Sequence, residues 1–460
     1  MSRKLDCLKG ALVYPTLLTL LAGASGVGHA KVSKQEADRM LPGGDLTPMG
    51  AERAGNAAGT IPEWTGGLPH KNVPVGERHE DLFADDEVLF TIDASNHQQY
   101  AEQLSEGAKA MFERYPETFR MHVYPTRRSA SNPQKVYDWN YENALNAELT
   151  EDGKYGLLNV VGGNPFPIPT DGAEAIWNHT IRYRSDGEIY YANQAVVETD
   201  GSYVLNVQYR ELAYAYGMVW HEPERNNILL RAIQRTEAPP RLAGQMQLIV
   251  GTINPTVEPA MAWSYNPGQR RVRRAPEYAY DAPTADGLMT RDQTDGYGGA
   301  LDRYNWTLHG KKEMYIGYNG YNFQVDESEI KEADMLLPGH INQDLARYEL
   351  HRVWIVEANV KPDERHIYAK RVFYIDEDSW TIAQVDIYDA QGKLWRYQDG
   401  QVFNMYTIPL MTTTIQGNYD LNSGRYAAEG LDNRYPPRDY TYFQPPSYWT
   451  PQRLRTMGVR

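Results

Sequence analysis

Residues 382–404 read IAQVDIYDAQGKLWRYQDGQVFN. Ile382–Tyr388 and Leu394–Asn404 are rich in β-branched and aromatic residues and alternate apolar with polar, the two-residue period of a half-buried strand. Gln391-Gly392 lies between them as a turn signal, and so short a connection makes the flanking strands antiparallel. The same texture extends to both sides. Residues 188–195, 203–213, 227–234, 246–253, 260–265, 305–311, 312–318, 350–358 and 367–375 also read as strands, with Asp186-Gly187 and Asp200-Gly201 as further turns. Strands and helices do not alternate along the chain, which argues against a doubly wound fold. The expectation is α+β, mainly antiparallel β: one large curved sheet or incomplete β-barrel with helices on its concave face.

The earlier part of the chain is more helical. Ser95 or Asn96 can cap a segment reaching residue 115, in which Tyr100, Leu104, Ala108, Met111 and Phe112 recur at helical spacing; Pro116 stops it. Residues 173–179 form a shorter helix capped from Asp171. The organisation that follows is a signal peptide at 1–30 and an extended arm at 31–80 anchored by Trp64. A mainly helical region spans 81–180, the sheet 181–431, and a wrapping tail rich in Pro, Tyr and Trp 432–460.

The signal-peptide reading rests on Arg3, Lys4 and Lys9, an apolar run at 11–21, and the small-x-small site Gly28-His29-Ala30. Cleavage near Ala30 would remove Cys7, the only cysteine. Leu21-Ala22-Gly23-Ala24 has Ala where a lipidated Cys would stand, so the exported product is expected to be soluble. A mean hydropathy of -0.63 excludes a polytopic helical membrane protein. A net charge of -14 disfavours nucleic acid as a partner. The chain has 34 Tyr against 9 Phe, so many of its surfaces pair an apolar ring with a polar tip.

Catalytic spacings are missing. There is no Gly-x-Ser-x-Gly elbow and no phosphate-binding Gly-rich loop. His221-Glu222-Pro223 is interrupted by proline. His351 and His366 would face each other across a hairpin, as a metal pair or as cross-strand polar packing. Asp292, Asp295 and Asp302 flank Gly296-Tyr297-Gly298-Gly299, an ion loop or simply an acidic one. The expectation is no catalytic residue, no metal and no cofactor. One cluster is more specific. Trp263-Ser264-Tyr265, the turn Asn266-Pro267-Gly268 and Arg270-Arg271-Val272-Arg273-Arg274 form a hairpin, with Arg271 and Arg273 on one face. Guanidinium forks suit carboxylates within an acidic protein, or an anionic head group at a cavity mouth.

Leu46-Thr47-Pro48-Met49-Gly50-Ala51-Glu52-Arg53-Ala54-Gly55-Asn56, the stretch 61–67, Tyr265 to Pro276, Arg352 to Asn359 and His366 to Phe373 resemble a proteobacterial family of exported proteins. These proteins carry the domain of unknown function numbered 1329. The resemblance implies an incomplete antiparallel barrel like that of the periplasmic lipoprotein carriers LolA and LolB. It implies no settled activity and no agreed functional residues, and it extends to proteins encoded beside outer-membrane channels and exporters. The function expected is a periplasmic binding or carrier protein for a lipid-like or other hydrophobic small molecule, serving an outer-membrane channel or exporter. The alternatives are an envelope interaction protein without its own ligand, or a hydrolase. The candidate ligand-binding residues are Trp263, Tyr265, Arg271, Arg273, Tyr304, Trp306, Tyr315, Tyr318, Trp354 and Phe373.

Overall fold

The computed structural model describes residues 32–150, 155–224, 226–254, 257–275 and 281–458. The proposed signal peptide and its cleavage site lie outside the described residues. The main sheet has 15 strands. They are β1 Phe90–Ile92, β2 Met121–Val123, β3 Gly187–Val197, β4 Tyr203–Ala213, β5 Ile228–Ala238, β6 Met246–Thr252, β7 Met261–Asn266, β8 Arg271–Arg274, β9 Tyr304–Gly317, β10 Tyr348–Val360, β11 Lys370–Asp376, β12 Ile382–Tyr388, β13 Leu394–Asn404, β14 Met411–Asp420 and β15 Tyr426–Glu429. The order across the sheet is β1-β2-β10-β11-β12-β13-β14-β15-β3-β4-β5-β6-β7-β8, with β9 paired along β10.

Pairing between the strands is antiparallel apart from a parallel contact of Val123 with Tyr348, and Tyr318, just past β9, makes an isolated parallel bridge to Val402. After β1 and β2, the chain enters mid-sheet at β3, walks out to the edge strand β8, crosses to β9 and β10, and returns. β15 then zips onto β3, from Tyr426↔Val197 to Glu429↔Gln194. The result is a large curved, mostly antiparallel sheet that does not close into a barrel.

The turn residues act as expected. Gly392 takes φ 76°, and Asp389 Oδ1 accepts from the N–H groups of Gln391 and Lys393. The segments read as strands at 305–311 and 312–318 are one strand, β9. Gly310, at φ 90°, makes a bulge between Leu308 and Lys311 rather than a reversal.

The helices fall on both faces. α1 is Lys34–Asp38, α2 Glu106–Arg114, α3 Gln134–Asn146, α4 Gly172–Ile181 and α5 Pro451–Gly458. The segment 95–115 is not one helix: His97–Gln103 is a 3-10 turn, Leu104 is extended, and Ser105 caps α2 afresh. α2 sits closely on the sheet. The N–H groups of Glu106 and Gly107 donate to Asp386 at 3.0 and 2.8 Å, and a Cβ on Gly107 would lie 2.1 Å from the Tyr397 ring. α4 starts at Asp171, whose carboxylate accepts from the Ala173 N–H at 2.7 Å.

Strand parity separates two cores. Phe373, Ile375, Val385 and Ile387 meet α4 together with Tyr297, Tyr304 and Trp306. Tyr397, Tyr419, Tyr426, Ala195 and Val197 meet α2 on the other face. On that second face the C-terminal tail covers β4 to β8: Tyr442 and Tyr448 both donate to Glu211 at 2.6 Å, and Trp449 and Leu454 bury against Ile233, Leu248 and Tyr265. The N-terminal arm is held by Trp64, which donates to the Ala130 carbonyl, and by Arg128, which donates to the carbonyls of Glu52, Arg53 and Pro62.

Candidate functional site

α4, the strands β4 to β7 and the glycine-rich segment around Tyr297 enclose a cavity of about 540 Å³. That size lies within the usual range for small-molecule sites, roughly 300–1,000 Å³. Its floor is the α4 side of the sheet. Alternation aims Leu212, Leu230, Ala232, Ile249 and Ala262 into it, while Ala213, Ile233, Leu248 and Tyr265 go to the opposite core. Leu229, Ile253 and Met261 complete an apolar end, and Trp177 and Ile181 of α4 form part of the roof.

The other end is polar. It opens into a second pocket of about 150 Å³ and shares with it Gln194, Asn206, Gln208, Arg210, Thr294, Asp295 and Glu429. Asp295 is the electrostatic centre of the wall. Its backbone is left-handed (φ 55°), which turns the carboxylate towards the two arginines that follow α4. Arg182 reaches one oxygen at 2.8 Å and Arg184 the other at 2.9 Å. Burial pushes this carboxyl up, but Arg182 and Arg184 together outweigh it and hold it well below the usual carboxylate range. Beside them His179 is neutral: burial, reinforced by Arg182, pushes it down to about 3. The Ile382 N–H donates to His179 Nδ1 at 3.1 Å, which leaves Nε2–H to donate to the Asp295 carbonyl at 2.6 Å.

Among the described residues Arg210 has no carboxylate within ion-pairing distance, though Glu429 acts on it through space. It donates to Gln208 Oε1 at 3.0 and 2.8 Å and touches the Tyr190 hydroxyl at 3.5 Å. Glu429 accepts from Gln194 at 3.1 Å, and burial pushes its carboxyl up. The wall therefore carries the cations Arg182, Arg184, Arg210 and Arg291 against the acidic groups Asp295 and Glu429, and the amides can both donate and accept.

The residues singled out in the sequence lie elsewhere, and none of the ten is on this wall. Tyr304, Trp306 and Phe373 come together, but as a solid aromatic cluster with Tyr297, with ring centroids 5.3 to 6.5 Å apart. Tyr318 is buried over the His351 ring, centroids 3.8 Å apart. Tyr315 is buried with Phe90 and Tyr100, and Trp354 stacks on Trp380 under Lys311. Trp263 and Tyr265 face the tail, where Tyr265 donates to the Gly458 carbonyl. Arg271 and Arg273 are exposed on β8, on the cavity side of the sheet opposite Val272, and no described residue forms an ion pair with them. Sequence periodicity located the strands; it could not tell which parity faced the cavity. The available signal was the polar run Asn206-x-Gln208-x-Arg210 on one face of β4.

The histidine and aspartate candidates also resolve. His351 and His366 stand at opposite ends of the β10–β11 hairpin, because Val353 pairs with Asp376 and Asn359 with Lys370. His366 joins Asp292, which lies 2.6 Å from Arg371 and is lowered to about 2: Arg371 and His366 outweigh the effect of burial. His351, Asp376 and Asp378 bring three potential metal-ligand atoms within 4.8 Å of one another. Asp378, however, is already forked by Arg128 at 2.8 and 2.7 Å. Asp376 accepts from Ser379 at 2.6 Å and Tyr318 at 3.3 Å; burial, then Asp378, push it up to about 6. With Glu377, Lys311 and Arg352 these groups form a buried charge clasp that holds the N-terminal arm on the sheet.

Among the described residues no helix is long and apolar enough to cross a membrane. Comparison with solved structures finds similar folds, among them the following three. A DUF1329 family protein from Desulfovibrio piger has TM-score 0.41 and 13% identity, over 59% of this chain and 92% of that one. A putative outer membrane lipoprotein-sorting protein domain from Vibrio parahaemolyticus has TM-score 0.40 and 11% identity, over 58% and 91%. The LolA superfamily protein NE2245 from Nitrosomonas europaea has TM-score 0.37 and 13% identity, over 61% and 98%. Among curated proteins, the Pseudomonas aeruginosa protein named "Uncharacterized protein PA3922" is 46% identical over 455 residues, 98% of this chain and 99% of that one. The model of "Protein of unknown function (DUF1329)" matches residues 91–455, and the chain belongs to that family.

Proposed function

We propose that this protein binds a lipid-like or other hydrophobic molecule and carries it through the periplasm, serving outer-membrane transport or export. The observation that carries the reading is the cavity of about 540 Å³ between β4–β7 and α4, apolar at one end and polar at the other. Leaving an apolar chain in water costs about 0.8 kcal/mol per CH2, so a protein that shelters one in transit removes a large penalty. The wall groups favour holding over bond-making: amides, guanidiniums, and a carboxylate, Asp295, already shared by Arg182 and Arg184. Arg271 and Arg273, which form no ion pair among the described residues and lie on the cavity side of the edge strand, suit a rim that meets an anionic head group.

The test is mass spectrometry of organic extracts from gently purified protein, with melting curves of native, delipidated and reloaded samples. A co-purified amphiphile, and a midpoint restored by fatty acids or sterols, are expected. Protein repeatedly free of lipid, with a midpoint that no such molecule moves, would overturn the proposal.

A further inference from the structure

The polar and apolar residues on the cavity floor are not mixed; they lie in rows that run across the strands. Tyr190 pairs with Arg210, Arg210 with Gln234, Gln234 with Gln247, Gln247 with Ser264, and Ser264 with Arg273. This polar row crosses β3 to β8 on one face and ends at an exposed guanidinium. One step along the same face, two residues on, every position from β4 to β7 is apolar: Leu212 pairs with Ala232, Ala232 with Ile249, and Ile249 with Ala262. The boundary thus falls at one height on four successive strands, between Arg210 and Leu212, Gln234 and Ala232, Gln247 and Ile249, and Ser264 and Ala262. Because side chains on one sheet face stand directly beside their cross-strand partners, the rows make two continuous bands with a straight edge.

The polar band is under-partnered. Among the described residues no carboxylate ion-pairs with Arg210, its neighbour Gln208 is its acceptor, and Asn206 Oδ1 has no hydrogen-bond partner. The half-buried Arg210 feels Glu429 through space but has no carboxylate of the described residues on its fork, and an anion is the group that satisfies such a fork. Of the two carboxylates on the wall, Asp295 is held by Arg182 and Arg184, and Glu429 accepts from Gln194 while it attracts Arg210 only through space.

We infer that the ligand is an amphiphile with an acidic head group, its head on the polar row with Arg210 as anchor and its apolar body along Leu212, Ala232, Ile249 and Ala262. The inference rests on the carrier reading and adds the polarity of the ligand and the direction in which it lies. Arg273 marks the end of the row from which an acidic head would enter.

Titration calorimetry with dodecanoate and with its methyl ester separates the two readings. Wild-type protein should bind dodecanoate about tenfold or more tighter than the ester, the gain of a charge-assisted hydrogen bond. Arg210→Gln should remove that preference, weakening dodecanoate about tenfold more than it weakens the ester. The double variant Gln234→Leu/Gln247→Leu, which keeps Arg210, should bind the ester better than wild type does and guards against a misfolded Arg210→Gln. Ile249→Glu should weaken both ligands. Equal binding of acid and ester by wild type, or an acid preference untouched in a folded Arg210→Gln, overturns the head-group assignment and leaves the carrier reading standing. Failure of both ligands to bind wild type, with no lipid co-purified, overturns both.

Discussion

Asp295→Asn should move stability and ligand affinity in opposite directions. In the folded protein this carboxylate neutralises Arg182, which is almost fully buried, and Arg184, while its carbonyl accepts from the neutral His179. Breaking a buried ion pair from one side costs about 3–5 kcal/mol. The Asp295 side chain is 21% exposed to the cavity, so screening brings the expected loss to about 2–3 kcal/mol. Unfolding entropy of roughly 2.1 cal/mol/K per residue gives a chain of 460 residues about 1 kcal/mol/K, so the melting midpoint should fall by about 2–3 °C. Urea midpoints resolve the same change.

The pH dependence follows from the direction of the shift. The folded carboxyl is held below its unfolded value, near 4, so its stabilisation is complete above that pH and lost as pH falls towards the folded value. The gap between wild type and Asp295→Asn should therefore be full from pH 8 to about 5 and narrow below about 4. Affinity should respond in the opposite sense. Removing a negative charge from the polar end strengthens the net positive wall and should tighten dodecanoate by about fivefold or more. A variant equally destabilised at every pH, or one that binds dodecanoate more weakly while still folded, would refute this account of the wall.

Asp399 has no cation beside it: it accepts from Tyr348 at 2.7 Å and Gln384 at 3.3 Å, and burial pushes it up to about 6. Its raised folded value means the charged form costs stability at neutral pH. Wild type should therefore become more stable from pH 7 to about 5, and Asp399→Asn should flatten that slope and raise the urea midpoint at pH 7.5. Arg128→Met leaves Asp378 without its fork and the arm without three hydrogen bonds; about 3–5 kcal/mol should be lost, and limited proteolysis should cut first near residues 46–64. Trp449→Ala removes a buried ring from the core formed by Ile233, Leu248, Tyr265 and Leu454, and should cost about 3–5 kcal/mol in denaturant titration while leaving dodecanoate affinity unchanged. Gly107→Ala drives a methyl group into Tyr397 and should lower the melting midpoint more than Gly392→Ala, whose Cβ meets open space.

Much of the sheet is legible because its signals are local. Alternation in Ile382–Tyr388 and Leu394–Asn404 and the Gln391-Gly392 turn fix a hairpin without knowledge of the rest. The Asp171 cap fixes the start of α4 in the same way. What is not legible depends on contacts distant in sequence. β15 joins β3, some 230 residues earlier, and that join carries Glu429 to Gln194 and completes the polar end of the cavity. Trp263 and Tyr265 alternate as wall residues would, yet the tail, nearly 190 residues later, claims their face. Amphipathic strands declare two faces; only the partner of each face declares which is core. The aromatic wall expected from Tyr304, Trp306 and Phe373 fails as a cavity wall for a related reason: α4 and Tyr297 fill the same face from outside the strand pattern.

The excess of tyrosine over phenylalanine takes on a physical meaning from this arrangement. Tyr297, Tyr304, Tyr318, Tyr321, Tyr348, Tyr368, Tyr397, Tyr406 and Tyr426 are among the largest fully buried side chains, so much of the excess lies inside rather than on a half-wet surface. A sheet covered on both faces must bury long cross-strand rows, and its strands also carry buried charges such as Asp376, Asp386, Asp399 and Arg371. Phenylalanine would fill the volume but leave those groups unanswered. Tyrosine fills it and delivers a donor: Tyr348 to Asp399, Tyr374 to Asp386, Tyr318 to Asp376, while the Tyr304 hydroxyl accepts from Arg371. On the α2 face and around Phe373, aromatic rings of this kind fill the volume between the sheet and its helices. On the cavity floor from β4 to β7 the side chains on the polar row are instead Arg210, Gln234 and Gln247, and among the described residues no carboxylate ion-pairs with Arg210 directly. What distinguishes the cavity floor from the aromatic core faces is therefore its row of Arg210, Gln234 and Gln247 beside the apolar row of Leu212, Ala232 and Ile249.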